Sequence, residues 1–306
     1  MWSVLLLLAA CDARIAGGPA DNTPGIDAPV ATGNPDAGAG TPDAPPDAAP
    51  LGPWGKPAKL TVAAVSGKIE DDETLSSNGL EMVFAIVNPA QNNQKELFYT
   101  KRSAATTTDW STPVKLAINS GDSETPRFSP NDLTLYFASN RGGMSLDIYQ
   151  ATRGAAGSPD FNPPTRLGGV SSLATDKWYM PCPDGSNDYL MAQDTGDGNT
   201  HLVEGKLGLA AKPVAELDAT TGSDTGTFLT RDCLTLYFAS TRSGRAQLYT
   251  SKRTAVGMPW SKPTIDPDFP LTGTDNQEDP WMASDLRTFV FVSDAGGDKD
   301  VYISTR

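Results

Sequence analysis

The chain has one histidine, His201, and three cysteines, Cys11, Cys182 and Cys233, in 306 residues. A hydrolase of the Ser-His-Asp or Cys-His type needs an imidazole base, so that chemistry would rest on His201 alone. A histidine-built zinc centre fails for want of ligands. Gly-x-Ser-x-Gly, His-Glu-x-x-His, Cys-x-x-Cys and glycine-rich phosphate loops are all missing. Positive charge is also short. The 24 Lys and Arg stand against 37 Asp and Glu, a formal charge of −13, which argues against phosphate-held nucleic-acid binding and against adhesion to anionic lipid. No apolar run is long enough to cross a bilayer as a helix. After residue 52, no window of a dozen residues keeps a helical period.

What the sequence has instead is repetition. Pro126–Ser139 and Phe228–Ser240 carry the same apolar core, Leu-Thr-Leu-Tyr-Phe-Ala-Ser, each followed by an Arg-containing loop and a second run, Asp147-Ile148-Tyr149 or Gln247-Leu248-Tyr249. A third copy runs from Ser284-Asp285 through Val290–Ser293 to Asp300-Val301-Tyr302. Weaker copies surround Asn78-Gly79 and Asp184-Gly185. A second marker, Trp-x-x-Pro, opens a further strand at Trp54, Trp110 and Trp260, and the prolines 57, 113, 164, 213 and 263 recur about every 50 residues. Short β-type runs at that period predict a closed radial array of four-stranded sheets. The last copy stops after its third strand, whereas an unattached strand lies at Pro57–Val65. That strand is expected to close the ring antiparallel to Val301–Ser304, which removes two exposed edges. The in-phase tryptophans are expected to pack between sheets.

These residues resemble the TolB-type β-propeller repeat. Pro126–Tyr149 follows its Pro-x-aromatic-Ser-Pro-Asp turn, apolar strand, Ser-x-Arg loop and Asp-Ile-Tyr strand. The resemblance covers residues 53–306 and implies an all-β, five-bladed propeller of four-stranded antiparallel blades. Function does not follow from such a fold by itself. TolB-type propellers of bacterial envelopes act as interaction platforms, and that is what the resemblance implies here.

Met1–Cys11 ends Leu8-Ala9-Ala10-Cys11, which resembles a bacterial lipobox and implies a signal peptide over 1–11 with acylation of Cys11. Residues 12–52 are rich in Ala, Pro, Gly and Asp and poor in large apolar groups, the composition of a disordered tether. Six Asp and one Arg give that segment −5 and leave −8 for the propeller. The expected setting is therefore the bacterial cell envelope, with the protein lipid-anchored at the outer membrane or at the periplasmic face of the inner one. Cys182 and Cys233 fall in the inner-strand turns of adjacent blades, three positions out of register. They are expected as two separately buried thiols, since a bridge needs Cα atoms within about 7 Å.

Acids are the remaining candidates for chemistry. Asp71-Asp72-Glu73, Glu124, Asp176, Asp224 and Glu278-Asp279 precede the inner strands and are expected to converge on one mouth of the central channel. An active site needs distinct carboxyls in contrasting surroundings, so an acid repeated in every blade reads as a structural element bonding strand-entry amides. Arg141 and Arg242, in the loops after the second strands, share that mouth. Asp194–Asn199 and Asp294–Asp300 read as turns, because both lack the twelve-residue calcium frame with its terminal Glu. Trp178 and Trp281 are expected at the rim, aligned with Arg127 and able to stack on a sugar or peptide.

The ligand-binding mouth is thus Glu124, Asp176, Trp178, Asp224, Glu278, Trp281, Arg141 and Arg242, with no cofactor, no metal and no catalytic residue. The expected protein is a monomeric, lipid-anchored, non-catalytic platform for an envelope protein, peptide or glycan, and not for nucleic acid. Two readings compete with it. A five-bladed glycosidase-like enzyme would hold two carboxylates in deep, aromatic-walled burial while the other blades' acids point away. A structural envelope component would have no specific ligand.

Overall fold

The computed structural model describes residues 50–60, 69–105, 109–143, 145–194, 196–269 and 274–306. The expected signal peptide, Cys11 and most of the expected tether lie outside the described residues. Strand β1 (Ala58–Lys59) comes first. Blade 1 follows as β2 (Glu70–Leu75), β3 (Glu81–Asn88), β4 (Gln94–Lys101) and β5 (Val114–Lys115). Blade 2 is β6 (Ser123–Phe128), β7 (Thr134–Ser139), β8 (Asp147–Thr152) and β9 (Thr165–Arg166). Blade 3 is β10 (Thr175–Pro181), β11 (Asp188–Asp194), β12 (Thr200–Lys206) and β13 (Lys212–Pro213). Blade 4 is β14 (Asp224–Leu229), β15 (Thr235–Ser240), β16 (Gln247–Lys252) and β17 (Thr264–Ile265). Blade 5 is β18 (Gln277–Met282), β19 (Thr288–Ser293) and β20 (Asp300–Thr305), completed by β1.

Ring closure takes the predicted form. Ala58 pairs with Ile303 and Lys59 with Tyr302, antiparallel. The Gly55 amide donates to the Thr305 carbonyl and the Leu60 amide to that of Val301, at 2.9 and 2.7 Å. Residues 61–65 of the predicted strand lie outside the described residues.

The second strand of each blade is buried on both faces, which is why Leu135–Ala138 and Leu236–Ala239 are apolar with little alternation. Leu135, Phe137, Ala138, Leu236, Phe238 and Ala239 are essentially inaccessible. Burying one such Leu or Phe contributes roughly 1.5–3 kcal/mol, so blade contacts supply most of the driving force. The tryptophan marker has a partner that the sequence reading missed. Arg102, Arg253 and Arg306 lie over Trp110, Trp260 and Trp54 at 4.7, 4.3 and 4.1 Å, and Arg153 lies over Phe161 at 5.1 Å. Each of these arginines also donates through Nε to a carbonyl of its own blade's first hairpin: Gly79, Asp132, Cys233 or Leu286.

Cys182 and Cys233 form a disulfide with their Cα atoms 5.7 Å apart, which corrects the expectation of two separate thiols. The apparent mismatch in register is what neighbouring blades require. Asp132, in the same turn position as Cys233, likewise reaches back one blade and accepts from the Ser77 amide and hydroxyl at 2.8 and 2.6 Å. The fourth residue past an inner strand meets a residue just past the inner strand of the blade before it: Cys233 on Cys182, and Asp132 on Ser77.

Candidate functional site

Every inner strand carries a β-bulge at the same place. Pairing skips a residue between Asp71 and Thr74, Glu124 and Arg127, Lys177 and Met180, Thr225 and Phe228, and Glu278 and Trp281. The first bulged residue is left-handed in all five blades: Asp72, Thr125, Trp178, Gly226 and Asp279, with φ between 49° and 58°. Only one of these is glycine. A β-branched or aromatic residue in that region is strained, by about 1–3 kcal/mol, and persists where its surroundings hold it. At Gly226 a Cβ would stand 2.8 Å from the Asp279 amide nitrogen, so that blade has no alternative. A bulge bends the strand and re-aims side chains, and here it turns five residues toward the axis.

Alignment on the bulge gives the true rings. Asp71, Glu124, Lys177, Thr225 and Glu278 form the upper ring, and the five left-handed residues form the ring below it. Lys95 Nζ sits 2.8 Å from Asp71 Oδ2, 2.7 Å from Asp72 Oδ2 and 3.1 Å from Glu124 Oε2. Lys177 holds the other Glu124 oxygen at 2.9 Å, while Lys299 lies 2.5 Å from Glu278 and 3.6 Å from Asp71. Burial works against the Lys95 charge, but Asp72, Asp71 and Glu124 outweigh it and hold the ammonium well above its usual range. Burial also opposes the Asp72 charge, and Lys95 more than offsets it, so that carboxyl lies below its ordinary value.

Two carboxyls have no lysine. Glu73 is pushed well above the usual range by burial and then by Asp279, and Asp279 by burial and then by Asp72 and Asp71. Trp178 Nε1 donates to Asp279 Oδ1 at 2.6 Å, from blade 3 to blade 5. Beneath them Arg127, 1% exposed, donates to the carbonyls of Glu73 and Pro126 at 2.8 and 2.9 Å and reaches that of Thr227 at 3.5 Å. One guanidinium thus spans blades 1, 2 and 4 and plugs the channel. The oxygens of Asp71, Asp72 and Asp279 lie within 4.8 Å of one another, an all-oxygen donor set suited to a hard cation.

The structure separates the residues expected to share one mouth. Glu124 and Glu278 belong to the upper ring. Asp176 and Asp224 stand one register position earlier and face into the blades, fully buried. Asp176 accepts from the Ser172 amide at 2.6 Å and Gln193 at 2.7 Å, and Asp224 accepts from the Ala219 amide at 3.0 Å and Arg242 at 2.7 Å. Arg141 and Arg242 are engaged as braces. Each lies over a Phe and a Tyr of its own blade, bonds the serine ending its second strand, and caps a loop carbonyl, Ile118 or Leu217. Trp178 aligns with Thr125 and lies inside the channel. Trp281 aligns with Arg127, two residues past the bulge, and therefore emerges at the opposite end, packed on Phe228.

That opposite end is an open funnel of about 240 Å³. Leu75, Phe128, Met180, Leu229, Trp281 and Met282 form its floor and wall, and Ser77, Asp132, Arg231 and Ser284 lie at its rim. The rim is built from the first hairpin of each blade, and the disulfide ties two of those hairpins together between Pro183 and Arg231.

Fold and site define a five-bladed propeller with a plugged, charged channel and, at its other end, a funnel with apolar walls and a polar rim. No known family and no curated protein matches the chain. Among solved structures it is similar to a thermostable family-43 glycoside hydrolase, at 11% identity and a TM-score of 0.55 over 80% of this chain and 91% of that one. It is also similar to MPT-4, a mannose phosphorylase from Leishmania mexicana, at 10% identity and 0.52 over 82% and 88%. TolB proteins are among its neighbours too, including a putative TolB from Agrobacterium tumefaciens at 13% identity and 0.49 over 74% and 71%. Likenesses at such identity establish the fold and leave function to the site.

Proposed function

We propose that the chain is a non-catalytic binding platform, held in the bacterial envelope through Cys11, whose funnel takes apolar side chains of an envelope protein or peptide. The observation that carries this reading is the division of labour along the axis. Asp72, Glu73 and Asp279 are at most 1% exposed under a lid of three lysines, whereas the open concavity has apolar walls, and its one carboxyl, Asp132, is engaged by Ser77. Each Leu or Phe side chain inserted there would contribute roughly 1.5–3 kcal/mol.

The glycosidase-like reading has an observation in its favour. Glu73 and Asp279 are deeply buried beside Trp178, both titrate high, and Asp176 and Asp224 point away. A glycosidase, however, must bring both carboxyls against a sugar, and the lysine lid leaves no route for one.

Photo-crosslinkers placed at Ser284 on the funnel and at Thr225 on the mouth distinguish the readings in envelope preparations. Adducts to one discrete partner from Ser284 alone are expected. Adducts from Thr225 alone would move the site to the other face. Glycoside turnover lost in Asp279→Asn at unchanged Tm would make the protein an enzyme.

A further inference from the structure

The axial carboxylates outnumber the basic side chains that face them. Six acids line the upper channel: Asp71, Asp72, Glu73, Glu124, Glu278 and Asp279. Four bases face them: Lys95, Lys177, Lys299 and Arg127. With all six acids ionised, the excess is two negative charges in a space from which water is nearly shut out. Isolated buried charge is costly by several kcal/mol per ion, so two of these acids either keep their protons or share a counter-charge.

The unused hydrogen-bonding capacity lies in the same place. Lys95 takes only the Oδ2 atoms of Asp71 and Asp72; Asp72 Oδ1 is buried without a hydrogen-bond partner, and Asp71 Oδ1 has only the Lys299 ammonium at 3.6 Å. Asp71 and Asp72 are 6% and 1% exposed. Both oxygens of Glu73, the next residue, are likewise buried and unpartnered. Buried polar atoms in native proteins are nearly always satisfied by protein, water or ion. Asp71, Asp72 and Asp279 each bring an oxygen within 4.8 Å of the others, and with a fully buried, unpartnered Asp72 oxygen among them this is the arrangement of a cation site.

We propose that Asp71, Asp72 and Asp279 bind one hard divalent cation, Ca²⁺ before Mg²⁺, on the propeller axis. The donor set contains carboxylate oxygen only, with no nitrogen or sulfur, which selects hard ions over zinc or copper. One divalent ion cancels the excess of two charges. Calcium is favoured because its variable coordination number tolerates an irregular cage, whereas magnesium demands near-octahedral geometry and gives up water reluctantly. Entry is through the mouth, where the Lys299 and Glu278 side chains are 32% and 25% exposed. The ion would also have a structural consequence. Asp71 and Asp72 stand on β2 of the first blade and Asp279 on β18 of the last, so it bridges the first and last blades.

Trp178 provides a readout in the unmodified protein, because its indole is hydrogen-bonded to one of the ligands. After chelator treatment and dialysis, Tb³⁺ should give luminescence when tryptophan is excited, saturating at one ion per chain and displaced by Ca²⁺. Calorimetry should give a Ca²⁺ Kd no weaker than about 10⁻³ M, the weak end of extracellular calcium modules, with weaker Mg²⁺ binding. Asp72→Asn and Asp279→Asn should each weaken Ca²⁺ binding by about tenfold or more, whereas Asp176→Asn, off the axis, should leave it unchanged. Trp178→Phe should lower the sensitised emission while Ca²⁺ binding persists. Three results would overturn the site: no saturable binding to the folded wild-type protein, equal binding by Asp72→Asn and Asp279→Asn, or loss of binding in Asp176→Asn as well.

Discussion

The indole of Trp178 and the carboxylate of Asp279 meet across the propeller axis at 2.6 Å, joining blades that share no strand pairing. Both residues are left-handed at their bulges, with φ of 50° and 49°. Neither would point at the other from a regular strand. That bond helps hold backbone strain in both blades, together with the Trp178 amide donating to Thr125 Oγ1 and the Trp178 carbonyl accepting from Thr227 Oγ1. Trp178→Phe keeps the ring but removes the donor, and it should lower stability by about 1–3 kcal/mol in urea denaturation. Binding of a partner at the funnel, on the other face, should be unaffected.

Lys95 is the counter-ion to three acids. Lys95→Met should therefore cost about 3–5 kcal/mol, the usual penalty for stranding buried charge. Lys177→Met, which frees only one oxygen of Glu124, should cost clearly less in the same denaturation experiment. Similar losses for the two variants would show that the cluster does not depend on Lys95.

The disulfide closes a segment of 51 residues between blades 3 and 4. Replacing both cysteines by serine should lower stability by about 2–4 kcal/mol, read as a fall in Tm. Reductant should lower the Tm of the wild type alone. The Asp132–Ser77 contact occupies the same inter-blade position, so Asp132→Ala should open the corresponding joint between blades 1 and 2, by a smaller amount.

His201 lies between two carboxylates on the outer surface, with Nδ1 2.7 Å from Asp218 and Nε2 2.9 Å from Asp197. Those bonds raise its pKa, Asp218 foremost. The folded value thus lies above the ordinary one of about 6.5, so the imidazolium stabilises the fold fully below that pH. The contribution fades as pH rises through the folded value. Tm measured from acid to alkaline pH should show this step in the wild type and lose it in His201→Gln. NMR titration of the single imidazole should return a pKa above 6.5.

Removal of residues 1–49 should leave a folded propeller, whereas removal through Leu60 should expose β20 as a free edge. The front strand's hydrogen bonds, at roughly 0.5–1.5 kcal/mol each, are a sizeable share of a typical stability of about 5–15 kcal/mol. Equal Tm for the two truncations would show that the seam does not depend on them.

The fold was legible because its signal is a repeat: the second strands and the proline-led strands recur, and no single blade has to be convincing. The site was harder to read because it depends on one inserted residue per inner strand. Aligned by eye, Asp176 and Asp224 match Glu124 and Glu278. Aligned on Ala85, Ala138, Ala192, Ala239 and Val292, their strand partners show that they sit one residue early. A slip of one residue moves a side chain to the other face of a strand, which is how two expected mouth residues became buried caps. The same bulge carried Trp281 to the far end. Arg102, Arg153, Arg253 and Arg306 were readable as a repeat of their own, but their purpose appears only when the tryptophans are placed beneath them. The disulfide was hidden because position-by-position comparison assumes that like meets like, whereas blade 4 meets blade 3 three residues out of step and blade 2 meets blade 1 two residues out of step.

The front of the described chain meets its end, with Gly55 against Thr305 and Trp54 beneath Arg306, and this happens on the funnel side of blade 5. Any tension applied through the front of the chain therefore arrives at the seam before it reaches any other part of the molecule. A pull along β1 loads its few hydrogen bonds together, in shear, while a sideways pull would peel them one at a time. The propeller is consequently a mechanical body with a preferred direction, strongest when it hangs with its funnel toward whatever holds its N-terminus.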